Sequence, residues 1–429
     1  MTKKVAFHTL GCKVNQYETN AMIQQFLAKE YQLVNFNEFA DVYVINTCTV
    51  TNMADKKSRQ MLRKVKDLNS DSIVVAVGCY SQVAADYVAK IEEIDIILGN
   101  DEKKDVVKFV ESFEKNKLIS VSDINKSKEY LEFGTVLHLE TTRAVIKIQD
   151  GCNNFCSYCI IPYARGRIRS RSKDSVLNEI KEIVKLGIKE VVLTGIHIAS
   201  YGKDKNDGYY LIDLIEDINK IEGLERIRLG SLEPLVITEE FCERLGKVDK
   251  ICEHFHLSLQ SGCDATLKRM NRKYLTEDFR KCVHLLRNTF KEVSLTTDII
   301  VGFPGETEEE FNETFEFLKE IKFFKMHVFK YSRRNGTVAA SMLNQVQEDI
   351  KEERSKKLID LSNQYEFEYI KEYIGKEVEV LVEEEKNGYW VGHTKNYLVI
   401  KIKNTGKNLK NQIIIEKNLK AKNLEVLSR

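Results

Sequence analysis

Three thiols fall within eight residues in Cys152-Asn-Asn-Phe-Cys156-Ser-Tyr-Cys159, directly after the strand-like segment AVIKIQ. A loop this short makes three thiolates converge. A cubane [4Fe–4S] cluster normally takes four cysteine ligands, so three leave one iron open to a substrate or cofactor. A structural zinc site is the competing reading, but it calls for a fourth Cys or His nearby, which this spacing does not offer. A thiol loop at the end of a strand belongs on the C-terminal face of a parallel barrel, where barrel active sites are built.

The rest of the chain supplies such a barrel. From residue 143 to about 345, AVIKIQ, EVVLTG, RIRLGS, HFHLSL, VSLTTDII and KMHVFKY alternate with helical stretches, a partial (βα)6 barrel rather than a full eight-unit one. Ahead of it, VAFHTL, VYVIN, SIVVAVG and IDIILG alternate with helices and predict a parallel-sheet α/β domain over residues 1–115. Residues 114–140 lack periodicity and read as a linker. The barrel unit with a long charged trailing helix spans 138–370, and residues 371–429 hold strand-length runs broken by Gly and Asn, as in a small antiparallel β-barrel. The fold class is α/β.

No uninterrupted apolar run approaches the roughly 18 residues of a membrane span, and the N-terminus carries no signal-like stretch. A cytoplasmic protein that does not enter a membrane is expected, with ten cysteines as reduced thiols or metal ligands. Net charge is only +1, so any nucleic-acid contact must rest on local positive charge.

A second thiol set is dispersed. Cys12, Cys48 and Cys79 each follow a predicted strand, in VAFHTLGC, VYVINTC and IVVAVGC. The C-terminal ends of parallel strands lie along one sheet edge, so the three thiols can meet, unless they are simply core residues. Cys242, Cys252 and Cys282 read as core. Cys263, after LSLQSG, is expected near the active face.

The spacing of Cys152, Cys156 and Cys159 resembles that of radical S-adenosylmethionine (SAM) enzymes. GCKVNQYE, NTCTVTNMADKKSRQ, YCIIPYARGRIRSR, LSLQSG and DIIVGFPGETEEEF resemble, in order, the motifs of the methylthiotransferase family across nearly the whole chain. That resemblance implies an auxiliary [4Fe–4S] cluster on Cys12, Cys48 and Cys79 and a radical SAM cluster on Cys152, Cys156 and Cys159. It also implies S-adenosylmethionine as cofactor, an RNA-binding TRAM domain at the C-terminus, and a low-potential electron donor of flavodoxin or ferredoxin type. Tyr158, Thr194, Gly195, Ser231, Glu233, Ser258, Gln260, Val301 and Gly302 are the cofactor-binding candidates, although each polar one can equally be a turn or capping residue.

GCKVNQYET resembles the group that acts on threonylcarbamoyladenosine of tRNA. Groups acting on isopentenyladenosine or on an aspartate of a ribosomal protein are the alternatives, and a non-catalytic iron–sulfur RNA-binding protein is an alternative of another class. A threonylcarbamoyl group carries a carboxylate, for which Arg165, Arg167 or Arg169 is the candidate reader; the same residues can serve tRNA phosphates or rim ion pairs. Residues 375–429 hold 11 Lys/Arg against 7 Asp/Glu. There Trp390, Tyr389 and Tyr397 are candidates for base stacking and Lys395, Lys401 and Lys403 for phosphates, with a protein-binding module as the equal alternative. The basic segment 56–66 is a further phosphate-facing candidate or a solvated face.

Overall fold

The structure, a computed structural model, describes residues 2–138, 141–417, 419–422 and 425–428. β1 (Lys4–Thr9), β2 (Gln32–Val34), β3 (Val42–Thr47), β4 (Ile73–Gly78), β5 (Ile96–Leu98) and β6 (Leu118–Ser120) form a parallel sheet of order β2-β1-β3-β4-β5-β6. Its central strands read as continuous apolar runs because helices cover both faces; every residue of β3 is buried. Helix α1 (Lys13–Leu27) and helix α2 (Asn52–Leu68) follow β1 and β3, and the Thr51 hydroxyl caps α2 by accepting from the Ala54 N–H at 3.1 Å. The predicted linker is partly structured. β6 within it pairs with β5, while its residues 139 and 140 lie outside the described residues.

Six parallel strands then make the open barrel: β7 (Arg143–Asp150), β9 (Glu190–Gly195), β10 (Arg226–Leu229), β11 (His254–Gln260), β12 (Ser294–Val301) and β13 (Lys325–Lys330). Two bridges, Ile227 to Ile251 and Leu232 to Leu257, join the β10 side to the β11 side. A two-residue strand β8 (Arg169–Ser170) returns antiparallel on β7. Alternate residues (Ala144, Ile146, Val191, Ile227, Phe255 and Leu257) enter the core beneath the outer helices, and the residues between them face the lumen. The trailing helix, Glu348–Glu372, packs on β13. Strands β14 (Val378–Lys386), β15 (Tyr389–His393), β16 (Val399–Lys403), β17 (Ile413–Glu416), β18 (Lys420–Lys422) and β19 (Glu425–Ser428) form the C-terminal sheet, antiparallel except for the β16–β19 pair. Among the described residues no helix is long and apolar enough to cross a membrane.

Glu18 of α1 ties the first sheet to the barrel. Its carboxylate meets Lys103, Lys147 at 2.7 Å and Arg165, all of them fully buried or nearly so. Burial alone would raise the Glu18 carboxyl, but the charges of Arg165, Lys103 and Lys147 outweigh it and hold the group well below the usual carboxylate range. Glu18→Gln leaves three buried cations short of a counter-charge and is expected to cost about 3–5 kcal/mol in denaturant unfolding at neutral pH. Because the folded carboxyl is depressed, its contribution is present above the unfolded value of 4.5 and lost as pH falls below it, so the gap between wild type and Glu18→Gln narrows in acid.

Candidate active site

β1, β3 and β4 are neighbours, and each ends just before a cysteine of the dispersed set. Asn15 braces two of these loops, donating to the Leu10 carbonyl at 2.7 Å and the Thr47 carbonyl at 3.1 Å. Gly11 sits at φ +100°, and a Cβ there would stand 2.8 Å from Cys48 Sγ, so the backbone of one loop packs directly on the thiol of another. Cys48 and Cys79 are buried. Cys12 keeps solvent-accessible surface although its thiol is desolvated, as expected for a group lining an internal cavity. Burial pushes the Cys48 thiol up to about 11, with the neighbouring Cys79 and Cys12 adding to the shift. Arg165 Nε donates to Cys79 Sγ at 3.2 Å.

The second set lies at the end of β7. Gly151, at φ +71°, allows the chain to turn where a Cβ would stand 1.8 Å from the Arg167 carbonyl oxygen. The loop is held by Cys152 N–H to the Gly166 carbonyl (3.1 Å), Ser157 N–H to the Met270 carbonyl (2.9 Å) and Asn271 Nδ2 to the Phe155 carbonyl (2.9 Å). Burial raises the Cys152 thiol to about 11 and the Cys159 thiol to about 12. Thiols so raised hold their protons until an electropositive group takes their place. Arg272 Nη1 donates to Cys156 Sγ at 3.2 Å. Each set therefore offers three thiols and a guanidinium aimed at one sulfur. Among the described residues no fourth Cys or His joins either set, a donor pattern that fits a [4Fe–4S] cluster with one free iron and not a closed zinc site.

Around the Cys152–Cys159 loop, a hydrogen-bonded rim links Glu233 to His197 Nε2 (3.0 Å), Asn154 Nδ2 (3.0 Å) and Arg272 (3.2 Å). Burial opposes the charged form of Glu233, yet the His197 hydrogen bond and charge, then Arg272 and Asn154, hold it below the ordinary range. Thr194 is buried at the lumen end of β9, and Gly195 packs tightly on Gln149. Ser231 is exposed beyond β10, and Ser258 faces the lumen with its carbonyl bonded by Arg272 at 3.3 Å. Gln260 adopts φ +70° at the register shift that ends β11. Val301 turns its side chain into the outer core, leaving only backbone for a ligand, while the Gly302 and Phe303 N–H groups donate to Glu306. Tyr158 packs near-perpendicular to Phe303 with ring centroids 6.4 Å apart. Cys263 is buried with its thiol toward Glu313 of the outer helix, away from the active face.

Several sequence expectations need correction. Arg165 and Arg169 are buried and occupied. Arg165 serves Glu18, Asp150, Asn15 and Cys79, and Arg169 donates to the Arg165 carbonyl at 2.8 Å, so neither can read a substrate carboxylate. Arg167 is exposed, its guanidinium 4.5 Å from the Phe155 ring centre. Trp390 is buried in the C-terminal core with Nε1 donating to the Lys407 carbonyl at 3.0 Å, which removes it as a stacking platform. Tyr397 is stacked between His254 (4.5 Å) and His393 (4.7 Å) at the base of the barrel, and Lys395 Nζ donates to the Asp249 carbonyl at 3.1 Å. Lys401 lines a cleft beside the trailing helix with Lys325 and Glu366, and Lys403 is exposed. Sequence reasoning missed Arg272, Asn154 and Gln149. It also missed the lumen triad His256, Asp298 and His327, in which each imidazole lies 3.3 Å from the carboxylate, a set able to hold one cation. The only signal was the inward parity of these residues on their strands. Arg167→Ala is expected to weaken RNA binding in a filter or anisotropy assay with little change in stability. Trp390→Ala should lose about 3–5 kcal/mol in denaturant unfolding.

Residues 4–99 match the model of the Uncharacterized protein family UPF0004, and residues 146–318 that of the Radical SAM superfamily. The chain is 44% identical to the threonylcarbamoyladenosine tRNA methylthiotransferase MtaB of Bacillus subtilis, over 97% of this chain and 94% of that one. It is 42% identical to the MtaB of Aquifex aeolicus, over 93% and 96%. The tRNA-2-methylthio-N(6)-dimethylallyladenosine synthase of Clostridium tetani is 39% identical, over 88% and 85%. The fold is that of the radical S-adenosylmethionine methyltransferase TsrM of Kitasatospora setae, with a TM-score of 0.56 at 16% identity over 76% of this chain and 73% of that one. With both halves matched and relatives of this identity along nearly its full length, the chain belongs to the methylthiotransferase family of radical SAM proteins.

Proposed function

We propose that this chain converts N6-threonylcarbamoyladenosine of tRNA into its 2-methylthio derivative. The observation that carries the reading is that both three-thiol sets are joined by one short segment. The helix that follows Cys159, Ile161–Arg165, places the Arg165 guanidinium against Cys79 Sγ. Two clusters held so near each other serve one reaction on one substrate. The chain's identity to two MtaB enzymes along nearly its full length supports the choice of substrate.

Membership of the radical SAM superfamily implies a [4Fe–4S] cluster and S-adenosylmethionine, and Cys152, Cys156 and Cys159 are the residues to hold that cluster. Cys12, Cys48 and Cys79 are the proposed ligands of a second one. A cluster on Cys152, Cys156 and Cys159 would supply the electron for reductive cleavage of S-adenosylmethionine, and one on Cys12, Cys48 and Cys79 would supply the sulfur for the methylthio group. The protein's own residues do the rest. Arg272 and Arg165 set charge-assisted donors against one sulfur of each set. The Glu233–His197–Asn154 rim presents an anionic acceptor to the amino group of the cofactor. Tyr158 and the polypeptide at Gly195 and Gly302 bound the cofactor's adenosine. The lumen, roofed by α1, keeps water and protons from the reacting centre.

A cleft of about 800 Å³ is lined by Thr49, Tyr80 and Ile160, the sequence neighbours of Cys48, Cys79 and Cys159, and by Tyr163. Arg59 of α2 and the rings of Tyr80, Tyr87 and Tyr163 line it, a cationic and aromatic approach suited to an unpaired tRNA loop. A flavodoxin- or ferredoxin-type donor in the cytoplasm completes the proposal.

Nucleoside mass spectrometry of tRNA from cells lacking the gene is expected to show loss of 2-methylthio-threonylcarbamoyladenosine and accumulation of its precursor. Retention of that nucleoside with loss of the isopentenyl counterpart would reassign the substrate. Purified anaerobically, wild type should carry about eight irons per chain, and Cys12/Cys48/Cys79→Ala or Cys152/Cys156/Cys159→Ala about four each.

A further inference from the structure

The lower lumen of the barrel is unusually rich in cations. Arg143 of β7 and Arg226 and Arg228 of β10 surround a single acid, Glu190 of β9, to which Arg228 Nε donates at 2.7 Å and from which Arg226 and Arg143 stand 3.8 and 3.9 Å away. Each arginine finds further partners in the C-terminal domain. Arg226 pairs with Glu379 at 2.8 Å and Arg143 with Glu383 at 3.1 Å, while Arg228 donates to the carbonyls of Lys395 and Thr394 at 3.1 and 3.2 Å. These arginines are therefore committed to the fold.

Lys13 is not. It opens α1 one residue after Cys12, and the charged groups bearing on it are Arg143, Arg228 and Glu190, together with Tyr397. Among the described residues its ammonium has no hydrogen-bond or ion-pair partner. It keeps accessible surface, yet it is desolvated and lies close enough to Arg143, Arg228 and Glu190 to feel their charges, which puts it at the lumen rather than on the outer surface. An enclosed ammonium with no partner of its own, close to Arg143 and Arg228, favours an anionic group beside it.

We propose that Lys13 is the recognition cation of an anion subsite in the barrel lumen, which receives the carboxylate of the N6 substituent of the substrate adenosine. The inference rests on the functional reading above and names the residue that gives it specificity. The chemistry of the base agrees with the position. C2 and C6, the carbon that bears N6, flank N1 of adenine, so a group that grips the N6 substituent must stand near the site that delivers sulfur to C2. Lys13 is the immediate neighbour of Cys12. An isopentenyl group has no charge to offer this site and would leave the ammonium unpaired.

The test is equilibrium binding of the anaerobic holoenzyme to two anticodon stem-loops, one carrying threonylcarbamoyladenosine and one carrying its carboxamide analogue, with methylthiolation of each followed in parallel. Wild type is expected to prefer the carboxylate by about 10- to 100-fold. Lys13→Gln should bring the two within about twofold, and Lys13→Arg should restore part of the preference, with iron content unchanged in both. A preference that survives Lys13→Gln overturns the proposal. So does a wild type that binds both stem-loops equally, a result that needs no variant to fold. Wild-type enzyme that methylthiolates neither stem-loop, but does so to one carrying isopentenyladenosine, would instead overturn the functional reading and the subsite with it.

Discussion

One buried carboxylate organises this molecule. Glu18 on α1 is the meeting point of Lys103 from the first sheet's last crossover, Lys147 from β7 and Arg165 from the helix after the thiol loop. Asp150 shares the excess positive charge, 2.5 Å from Lys147 and 3.2 Å from Arg165. A buried ion network contributes little net stability over a well-packed apolar core, because desolvation offsets most of the Coulomb gain. Its worth here is geometric. Each member comes from a different segment, and any slip leaves a charge unpaired in the interior. The separation of the two thiol sets is thereby held, and Arg165 carries the constraint directly to Cys79.

The second organising fact is that six strands do not close a barrel. The open lumen must be filled by neighbouring parts of the chain. α1 covers it along β7 and β9, and the loop bearing Tyr397 plugs it from below, where the ring stacks between His254 and His393 under the cations of Arg228 and Arg143. The C-terminal sheet is therefore part of the barrel's electrostatic framework. Its Glu379, Glu383 and the Thr394–Lys395 carbonyls supply partners to three arginines that would otherwise share one barrel acid, Glu190. Helix α1 has the same dual role, presenting Cys12 to the site and Glu18 to the interior from a single turn and a half.

Much of this arrangement was legible before any coordinates. The six barrel strands follow from local apolar periodicity, which depends on residues a few positions apart. The placement of Cys12, Cys48 and Cys79 just after three neighbouring strands followed from one topological rule, that parallel strands end along one edge. Reading failed where the partner of a charge was remote. In sequence the Arg165–Arg171 stretch resembles a basic surface. Three of its four arginines are buried, and Arg165 meets a glutamate 147 residues away. Trp390 failed for a related reason, since a tryptophan in a basic segment reads alike whether it packs inward or stacks on RNA.

By itself the sequence determined the main strand–helix alternation, the parallel pairing within the N-terminal sheet and among the six barrel strands, the two three-thiol sets and the family to which they belong, because each rests on spacing along the chain. Only the tertiary structure decided which cations are structural and which face the cavity. Electrostatic roles are assigned by distance in space, and a lysine at the start of α1 reveals that it lacks a partner only once the barrel, α1 and the C-terminal loop have enclosed it together.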